Sequence, residues 1–386
     1  MYQGKTIGVV VTAYNEEAFV GEVIETTPEF VDRIYAVDDA SPDGSWEVIR
    51  RVADRVNGAE TTAPELAVTD GGETDARRVV PIRHEENRGY GAAVKTGYRR
   101  ALEDGLDVVA VMNGDGQMPP EILDRIVEPV VRGEADYAKG NRLLRPEDRT
   151  DMSRFRFVGN ALLSGLSKFA SGYWSISDPQ NGYTAISRET IETLDLDALT
   201  DKYGFLNHIL THLNVHEFRV TDVEMTAVYG DEESSIRYVP FVRYVSLLLL
   251  RSFLWRLKSR YVVRRFHPAV LLYGAGTAGL IGGTLGLVGS IAASIGRSDP
   301  SEAPDREPTD GRTRTGSARL VAATSAFLTT LVGLVSLAEA ISKDAAESED
   351  LEMVHLEGHG GEGREEIPVR EKGSETDDAD PLERRF

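Results

Sequence analysis

Short β-branched runs alternate with helical stretches over the first part of the chain, and this alternation constrains the fold most strongly. The runs predicted as strands are residues 7–11, 34–37, 79–83 and 108–112, and residues 135–139 are predicted as a further strand. Continuous apolar runs of this length indicate strands that are buried on both faces, as in a parallel sheet covered by helices. The sequence therefore predicts an α/β fold built on a mostly parallel sheet.

Polar residues follow these runs. Asp38 and Asp39 come after the second run, and Asn113, Asp115 and Gln117 come after the fourth. Open α/β sheets bind ligands at the carboxyl ends of their strands, so we expect these side chains to line one site. The oxygens of Asp115 and Gln117 suit a hard cation such as Mg²⁺ or Mn²⁺, which would in turn hold a diphosphate. A turn of purely structural role is the alternative.

Composition excludes several classes of function. The chain of 386 residues has no cysteine, which rules out disulfides and cysteine-based catalysis. Its formal charge is −20, and only 8 of its 43 basic residues are lysine. An acidic, lysine-poor surface is typical of proteins adapted to high salt, as in a halophilic archaeon. The same charge argues against nucleic acid as a partner, because binding to phosphates needs a basic face.

Five segments carry a resemblance to a known family. VVTAYNEE, AVDDASPDGS, ENRGYGAAVKTGY, MNGDGQMPPE and YGDEESSI, in this order and spacing, resemble family 2 glycosyltransferases, which have the Rossmann-like GT-A fold. The nearest branch resembles the dolichyl-phosphate mannose and glucose synthases. The resemblance implies an inverting transferase that moves a hexose from a GDP-mannose or UDP-glucose type donor to a polyprenyl or dolichyl phosphate, with Mg²⁺ or Mn²⁺ as cofactor.

The resemblance also implies which residues bind the donor. They are Thr12, Tyr14, Glu16, Asp38, Asp39, Lys95 and Asn113. Asp115 and Gln117 match the metal-binding end of the family's DxDxQ pattern, and Asp115 is the predicted catalytic residue there. The sequence departs from this pattern at Asn113, where the family has an acid. A neutral amide is a weaker metal ligand, so an inactive membrane scaffold that binds a nucleotide sugar remains an alternative.

The acceptor phosphate is assigned to a second group of residues. They are Arg142, Arg156, Asn160, Gln180 and Arg237. Guanidinium forks suit phosphate, and position 156 lies one helical turn from position 160. Asp178 stands where other family members keep a general base, and a turn aspartate is the alternative. A lipid phosphate is already an anion at neutral pH, so it can attack without a strong base.

His208, His212 and His216 recur every four residues, a spacing that could place three metal ligands on one helix face. No carboxylate in this stretch completes a metal geometry, so we favour histidines with a structural role.

The second half of the chain carries membrane signals. We expect a catalytic domain over residues 1–236, with a surface insertion at 57–78, followed by basic amphipathic interfacial helices at 237–267. Two apolar stretches, 268–296 and 318–341, are long enough to cross a bilayer, and glycines in the first suit close helix packing.

The remaining segments follow from this hairpin. Residues 297–317 are predicted as an external loop, and residues 342–386 as an acidic, disordered tail. The basic stretch before the first span marks the cytoplasmic side, so the catalytic domain and the tail are both expected there, on a cell membrane with two spans.

Polymer synthesis and extension of a lipid-linked glycan are two related functions of family 2 glycosyltransferases. Processive synthases of this family carry a Gln-x-x-Arg-Trp motif, and none of the three glutamines begins that pattern, which disfavours polymer synthesis. Extension of a lipid-linked glycan stays open. Cell-surface protein N-glycosylation is the expected context, while the oligomeric state is not indicated by the sequence.

Overall fold

The computed structural model of the protein describes residues 1–60, 77–144, 154–225, 238–295 and 311–355. The strands are β1 (Ile7–Ala13), β2 (Arg33–Asp38), β3 (Val79–Arg83), β4 (Val108–Asn113), β5 (Tyr137–Asn141), β6 (Thr184–Ser187), β7 (Val220–Glu224) and β8 (Glu352–His355). The helices are α1 (Val20–Thr26), α2 (Ser45–Glu60), α3 (Tyr90–Glu103), α4 (Leu123–Val131), α5 (Arg154–Ser171), α6 (Arg188–Thr193), α7 (Phe205–Val215), α8 (Tyr238–Lys258), α9 (Ala269–Ile295) and α10 (Gly311–Ala346).

These strands form one sheet in the order β3-β2-β1-β4-β6-β5-β7-β8. Every neighbouring pair is parallel except the two pairs made by β6, which runs antiparallel to β4 and β5. The prediction of a mostly parallel α/β sheet is confirmed. Each of the five predicted runs forms one of these strands.

Helices cover both faces of the sheet, as the apolar runs require. Val9 and Val11 of β1 pack with α1, α2 and α4 in one core, whereas Val10 between them packs with α3 and α7 in the other. Successive side chains of a strand point to opposite faces, so a run without polar alternation supplies both cores.

The register brings the polar strand ends to one edge. Ala13 pairs with Asp38, and Thr12 pairs with Asn113. The loops that follow β1, β2 and β4 therefore leave the sheet side by side, where a ligand of an open α/β sheet binds.

Two long helices follow the sheet domain and pack against each other. Ala269–Ala293 and Leu320–Ala346 are long and apolar enough to cross a membrane. A Cβ atom added at Gly279 would lie 2.9 Å from the Cα atom of Gly333, so the two helix backbones touch at this point. Small residues permit this close approach, as the sequence predicted for packing within lipid.

The predicted interfacial segment is the helix α8 continued by a π-helical turn, Ser259–Arg264. Its exposed side includes Leu247, Leu250 and Leu254, with exposed fractions of 47, 54 and 56%. Arg256 and Arg260 do not lie on this side, because their guanidinium groups are buried against the protein. These two cations of the predicted basic segment therefore pack against the protein, Arg256 on Asp344 and Arg260 on Asn214.

The chain after the second apolar helix differs from the expected disordered tail. Helix α10 continues to Ala346, a short 3₁₀ helix follows over Glu349–Leu351, and β8 then joins the edge of the sheet beside β7. Hydrogen bonding to a distant strand stabilises this segment, and a pattern of local charge does not reveal such pairing. Residues 356–386 lie outside the described part of the chain, as do 61–76 of the predicted insertion and most of the predicted external loop.

The three helical histidines have packing roles. His212 stacks on Trp255 with ring centroids 4.3 Å apart, and it also contacts His208 edge-on. Burial lowers the pKa of His212 to about 3 and that of His208 to about 4. Both are therefore neutral at physiological pH, and His212 joins α7 to α8.

Candidate active site

The loops after β1 and β2 are joined by hydrogen bonds. The backbone N–H of Asn15 donates to Ser41 Oγ at 3.1 Å, and that of Glu16 donates to Ser45 Oγ at 2.8 Å. Glu17 Oε2 accepts from the Gly44 N–H at 3.1 Å. These contacts fix the polar loop that carries Tyr14, a side chain that is 45% exposed at the rim of the site.

Asp38 and Asp39 hold neighbouring loops in place. Asp38 is fully buried and pairs with the Arg83 guanidinium at 3.1 Å. Asp39 accepts from the N–H groups of Arg88 and Gly89 at 2.9 and 2.7 Å, and its Oδ1 also contacts His84. The described contacts thus give both carboxylates a part in shaping the donor edge, while direct contact with a donor stays a prediction.

The loop after β4 presents Asp115 at the same edge. Asp115 Oδ1 accepts the backbone N–H of Gln117 at 3.0 Å, and Gly116 between them has φ +71°, a conformation that favours glycine. The Gly114 N–H donates to Thr12 O at 2.8 Å, which ties this turn to the end of β1. The turn therefore holds a half-buried carboxylate in a fixed orientation beside Thr12.

Three buried polar atoms in the segments that carry predicted site residues have no hydrogen-bond partner among the described residues. They are Tyr90 Oη, Asn113 Oδ1 and Gln180 Nε2. A Cβ atom added at Gly182 would lie 2.7 Å from Tyr90 Oη and 3.2 Å from Asn113 Oδ1, so only glycine lets these two atoms lie this close to the backbone of the loop. Buried polar groups are nearly always paired, so two such atoms left unpaired beside each other are candidate contacts for a ligand.

Tyr90 was not among the residues predicted for the site. Burial raises the pKa of its hydroxyl, and the nearby Asp115 carboxylate adds to this effect, so the group stays protonated and can donate. Its place in the segment ENRGYGAAVKTGY was the only signal in the sequence, because a tyrosine at a helix start reads equally well as a core residue.

The loop between α5 and β6, residues 172–183, approaches the edge from the other side, and we call it the acceptor loop. Its Asp178 has φ +46° and receives two hydrogen bonds from the Arg142 side chain, at 2.8 and 3.0 Å. Despite burial, the Arg142 guanidinium lowers the pKa of Asp178. Asp178 is therefore a held anion and a poor proton acceptor, which favours a role in orienting Arg142 over the predicted role of general base.

A buried network supports this pair from below. Lys139 on β5 contacts Asp222 on β7 at 2.9 Å, and both side chains are almost completely buried. Asp222 also accepts from Asn141 at 2.6 Å and from the Ser177 N–H at 2.8 Å. The network fixes the end of β5, and so the backbone of the adjacent Arg142. Sequence reasoning missed it, since its members lie far apart in the chain.

Lys95, another predicted donor-binding residue, contacts the loop before α7. Its ammonium group is buried, donates to Leu199 O at 2.8 Å and pairs with Asp201 at 2.5 Å. It therefore holds the loop before α7 against α3.

The side chains of three residues predicted to bind the acceptor phosphate lie outside the described part of the chain. Arg156 and Asn160 belong to α5, but their side chains fall outside the described part, and Arg237 lies entirely outside it. Their assignment to the acceptor phosphate stays a prediction.

The oxygen ligands offered by Asp115 and Gln117 at this edge suit a divalent cation that also binds a diphosphate. No cluster of three or more His, Asp or Glu residues suited to a metal occurs in the described ranges, so a cation here would take Asp115 and Gln117 from the protein. Mg²⁺ is commonly held by one or two carboxylates together with substrate phosphates, and this site offers that arrangement.

Comparison with known proteins defines the class. The profile described as "Glycosyl transferase family 2" matches residues 8–195, a range that includes the edge loops from Thr12 to Tyr183. The chain is 30% identical over 223 residues to the polyprenol monophosphomannose synthase of Mycolicibacterium smegmatis, covering 56% of this chain and 76% of that protein. The chain belongs to glycosyl transferase family 2, and it is a glycosyltransferase.

Two further similarities accompany this one. The chain is 25% identical over 228 residues to the UDP-N-acetylglucosamine–dolichyl-phosphate N-acetylglucosaminyltransferase of Methanococcus voltae, covering 59% of this chain and 87% of that protein. Among solved structures, the glucosyl-3-phosphoglycerate synthase of Mycobacterium tuberculosis with Mn²⁺, UDP-glucose and phosphoglyceric acid superposes with a TM-score of 0.44 at 19% identity, over 66% of this chain and 80% of that one.

Proposed function

We propose that this protein transfers a hexose or N-acetylhexosamine from a nucleotide sugar to a polyprenyl phosphate at a membrane surface. The observation that carries the proposal is the pair of unpaired buried atoms, Tyr90 Oη and Asn113 Oδ1, beside Gly182. Asn113 directly precedes the loop of Asp115, and Gly182 lies in the loop of Asp178. A sugar carries several hydroxyl groups that donate and accept, which is the chemistry that would pair these atoms.

The reaction is a single displacement. An oxygen of the lipid phosphate attacks the anomeric carbon, the bond from that carbon to the diphosphate oxygen breaks, and the nucleoside diphosphate leaves with the bonding electrons. Mg²⁺ or Mn²⁺ held by Asp115 and Gln117 would stabilise the negative charge on the leaving group. Arg142, oriented by Asp178, would bind the lipid phosphate by charge-assisted hydrogen bonds.

The membrane elements support a lipid acceptor. Helices α9 and α10 are long and apolar enough to cross a bilayer, and α8 exposes leucines beside the sheet domain. We place the catalytic domain on the cytoplasmic side, because the cations Arg243, Arg251 and Lys258 are exposed shortly before the first apolar helix. In this arrangement the acceptor phosphate lies at headgroup depth.

The test is transfer by the purified full-length protein in lipid vesicles. It is given UDP-glucose, UDP-N-acetylglucosamine or GDP-mannose together with a short polyprenyl phosphate, and products are read by mass spectrometry at low and molar salt. We expect one donor to give a glycosyl-phosphoryl lipid, and the matching polyprenol without phosphate to give no product. Transfer only to a lipid that already carries a sugar would contradict the proposed acceptor, and absence of any transfer by a protein that binds nucleotide would indicate the inactive scaffold.

A further inference from the structure

The end of the second apolar helix and the segment that follows it are built into the sheet domain. Asp344, in the last turn of α10, pairs with Arg256 of α8 through two contacts of 2.7 Å, and both side chains are fully buried. Ser348 Oγ accepts from Asn214 and Arg260 at 3.2 and 3.0 Å. The chain thus leaves the hairpin along a fixed path.

The path ends at the edge of the sheet. Thr221 and Asp222 of β7 pair with Met353 and Val354 of β8 in parallel register. This places Glu352, the first residue of β8, six residues beyond the end of α10 at Ala346. The side chain of Glu352 therefore has a defined position relative to both the hairpin and β7.

Glu352 holds the start of the acceptor loop. Its Oε1 accepts the Trp174 N–H at 2.7 Å, and its Oε2 accepts the N–H groups of Ser175 and, at 3.3 Å, Ile176. The next N–H, that of Ser177, donates to Asp222. Two carboxylates on adjacent strands thus bind four consecutive amides, directly before the residue that orients Arg142.

We propose that Glu352 is a positioning residue for the acceptor site, and that through it the chain beyond the second apolar helix sets the geometry in which the lipid phosphate is bound. This rests on the proposed function in one respect, the assignment of Asp178 and Arg142 to the acceptor side. The donor loops leave the opposite half of the sheet, from β1, β2 and β4. Loss of the Glu352 carboxylate therefore affects the acceptor and spares the donor.

The experiment compares Glu352→Gln with Glu349→Gln in the full-length protein in vesicles. The control removes one charge from the same segment, at an exposed side chain that makes no hydrogen bond or ion pair with the residues that the structure describes. Glu352→Gln turns an N–H₂ group toward amide donors, so the new side chain cannot accept all three bonds. Small misplacements of reacting groups cost up to about 10²-fold in rate, so we expect kcat/KM for polyprenyl phosphate to fall about tenfold or more.

Three readouts decide the matter. In Glu352→Gln, amide hydrogen exchange of residues 174–177 should accelerate, binding of a fluorescent polyprenyl phosphate should weaken, and the affinity for nucleoside diphosphate should stay within about twofold of the control. Faster exchange with unchanged acceptor binding and kinetics would overturn the proposal, as would an equal loss of donor and acceptor binding. Should this variant not fold, Glu352→Asp keeps the charge and withdraws it by one methylene, and the same readouts apply.

A wild-type protein that transfers to no polyprenyl phosphate would remove the proposed function. The exchange and lipid-binding measurements would still decide the role of Glu352, because neither depends on turnover.

Discussion

At the scale of residues, the site is marked by polar atoms that folding leaves unpaired. A buried hydroxyl or amide without a partner costs about 1–3 kcal/mol of folding free energy. Tyr90 Oη and Asn113 Oδ1 both carry this cost beside Gly182. Hydrogen bonds to a bound sugar would remove this cost. The two groups therefore lower the stability of the free protein and favour binding of the sugar.

Tyr90→Phe tests this directly. Removing an unpaired hydroxyl should leave the free energy of unfolding unchanged or raise it by up to about 1 kcal/mol, while kcat/KM for the donor falls about tenfold. Denaturant unfolding and initial rates measure the two effects. Tyr35→Phe is the matched control, because the Tyr35 hydroxyl lies away from the site and donates a hydrogen bond of 2.7 Å to Asp104. This variant should lose stability and keep activity. A loss of stability in Tyr90→Phe would show that its hydroxyl has a partner in the folded protein.

Asp115→Asn tests the proposed cation site. The change keeps the size of the side chain and removes the carboxylate charge proposed to hold the cation, so transfer should fall by about 10²-fold or more with no loss of stability. Titration of Mg²⁺ or Mn²⁺ against rate should show weaker metal activation. Glu103 is an exposed acid at the carboxyl end of α3, so Glu103→Gln should behave as wild type. Unchanged transfer by Asp115→Asn in the presence of chelator would exclude the metal role.

At the scale of elements, the sequence predicted the strands well and the long-range contacts poorly. The four apolar runs became strands because burial on both faces leaves a strong local signal. Strand β8 has four residues, and its pairing with β7 depends on chain brought back by the hairpin. No local pattern distinguishes such a strand from an acidic tail.

Side-chain roles could likewise be predicted where they depend on local sequence and not where they depend on distant partners. The position of Asp115 at the edge could be predicted from where β4 ends. That Arg256 would be buried against Asp344, or Lys95 against Asp201, could not, because the partners are 88 and 106 residues away in the chain.

The packing of α7 on α8 should make stability sensitive to acid. Burial holds the pKa of His212 at about 3 in the folded state, below its ordinary value of 6.5. The unfolded chain therefore takes up a proton first, so this stabilisation is complete above pH 6.5 and is lost as the pH falls toward 3. One such histidine changes stability by at most about 1.4 kcal/mol per pH unit in that window.

His212→Phe keeps a ring against Trp255 and removes the titration. Its unfolding free energy should decline less steeply than that of wild type between about pH 6.5 and pH 4, as followed by denaturant unfolding at each pH. His208 titrates in the same direction and stays in both proteins. Identical slopes in the two proteins would mean that His212 is accessible to protons in the folded state.

At the scale of the whole molecule, the proposed function divides one sheet edge into two halves. Strands β1, β2 and β4 carry the predicted donor loops, whereas β5, β6 and β7 support the predicted acceptor loop. The apolar hairpin is continuous with the second half through Asp344 and Glu352. In the proposed function, membrane attachment and acceptor binding are therefore parts of one structure.

The central claim is that the lipid phosphate is itself the nucleophile. Asp178 is engaged by Arg142, and the reaction needs no covalent intermediate on the protein. The most direct measurement is the anomeric configuration of the glycosyl-phosphoryl lipid, determined by NMR on product made from a donor of known configuration. The account predicts complete inversion. Retention of configuration would require a nucleophile from the protein and would contradict it.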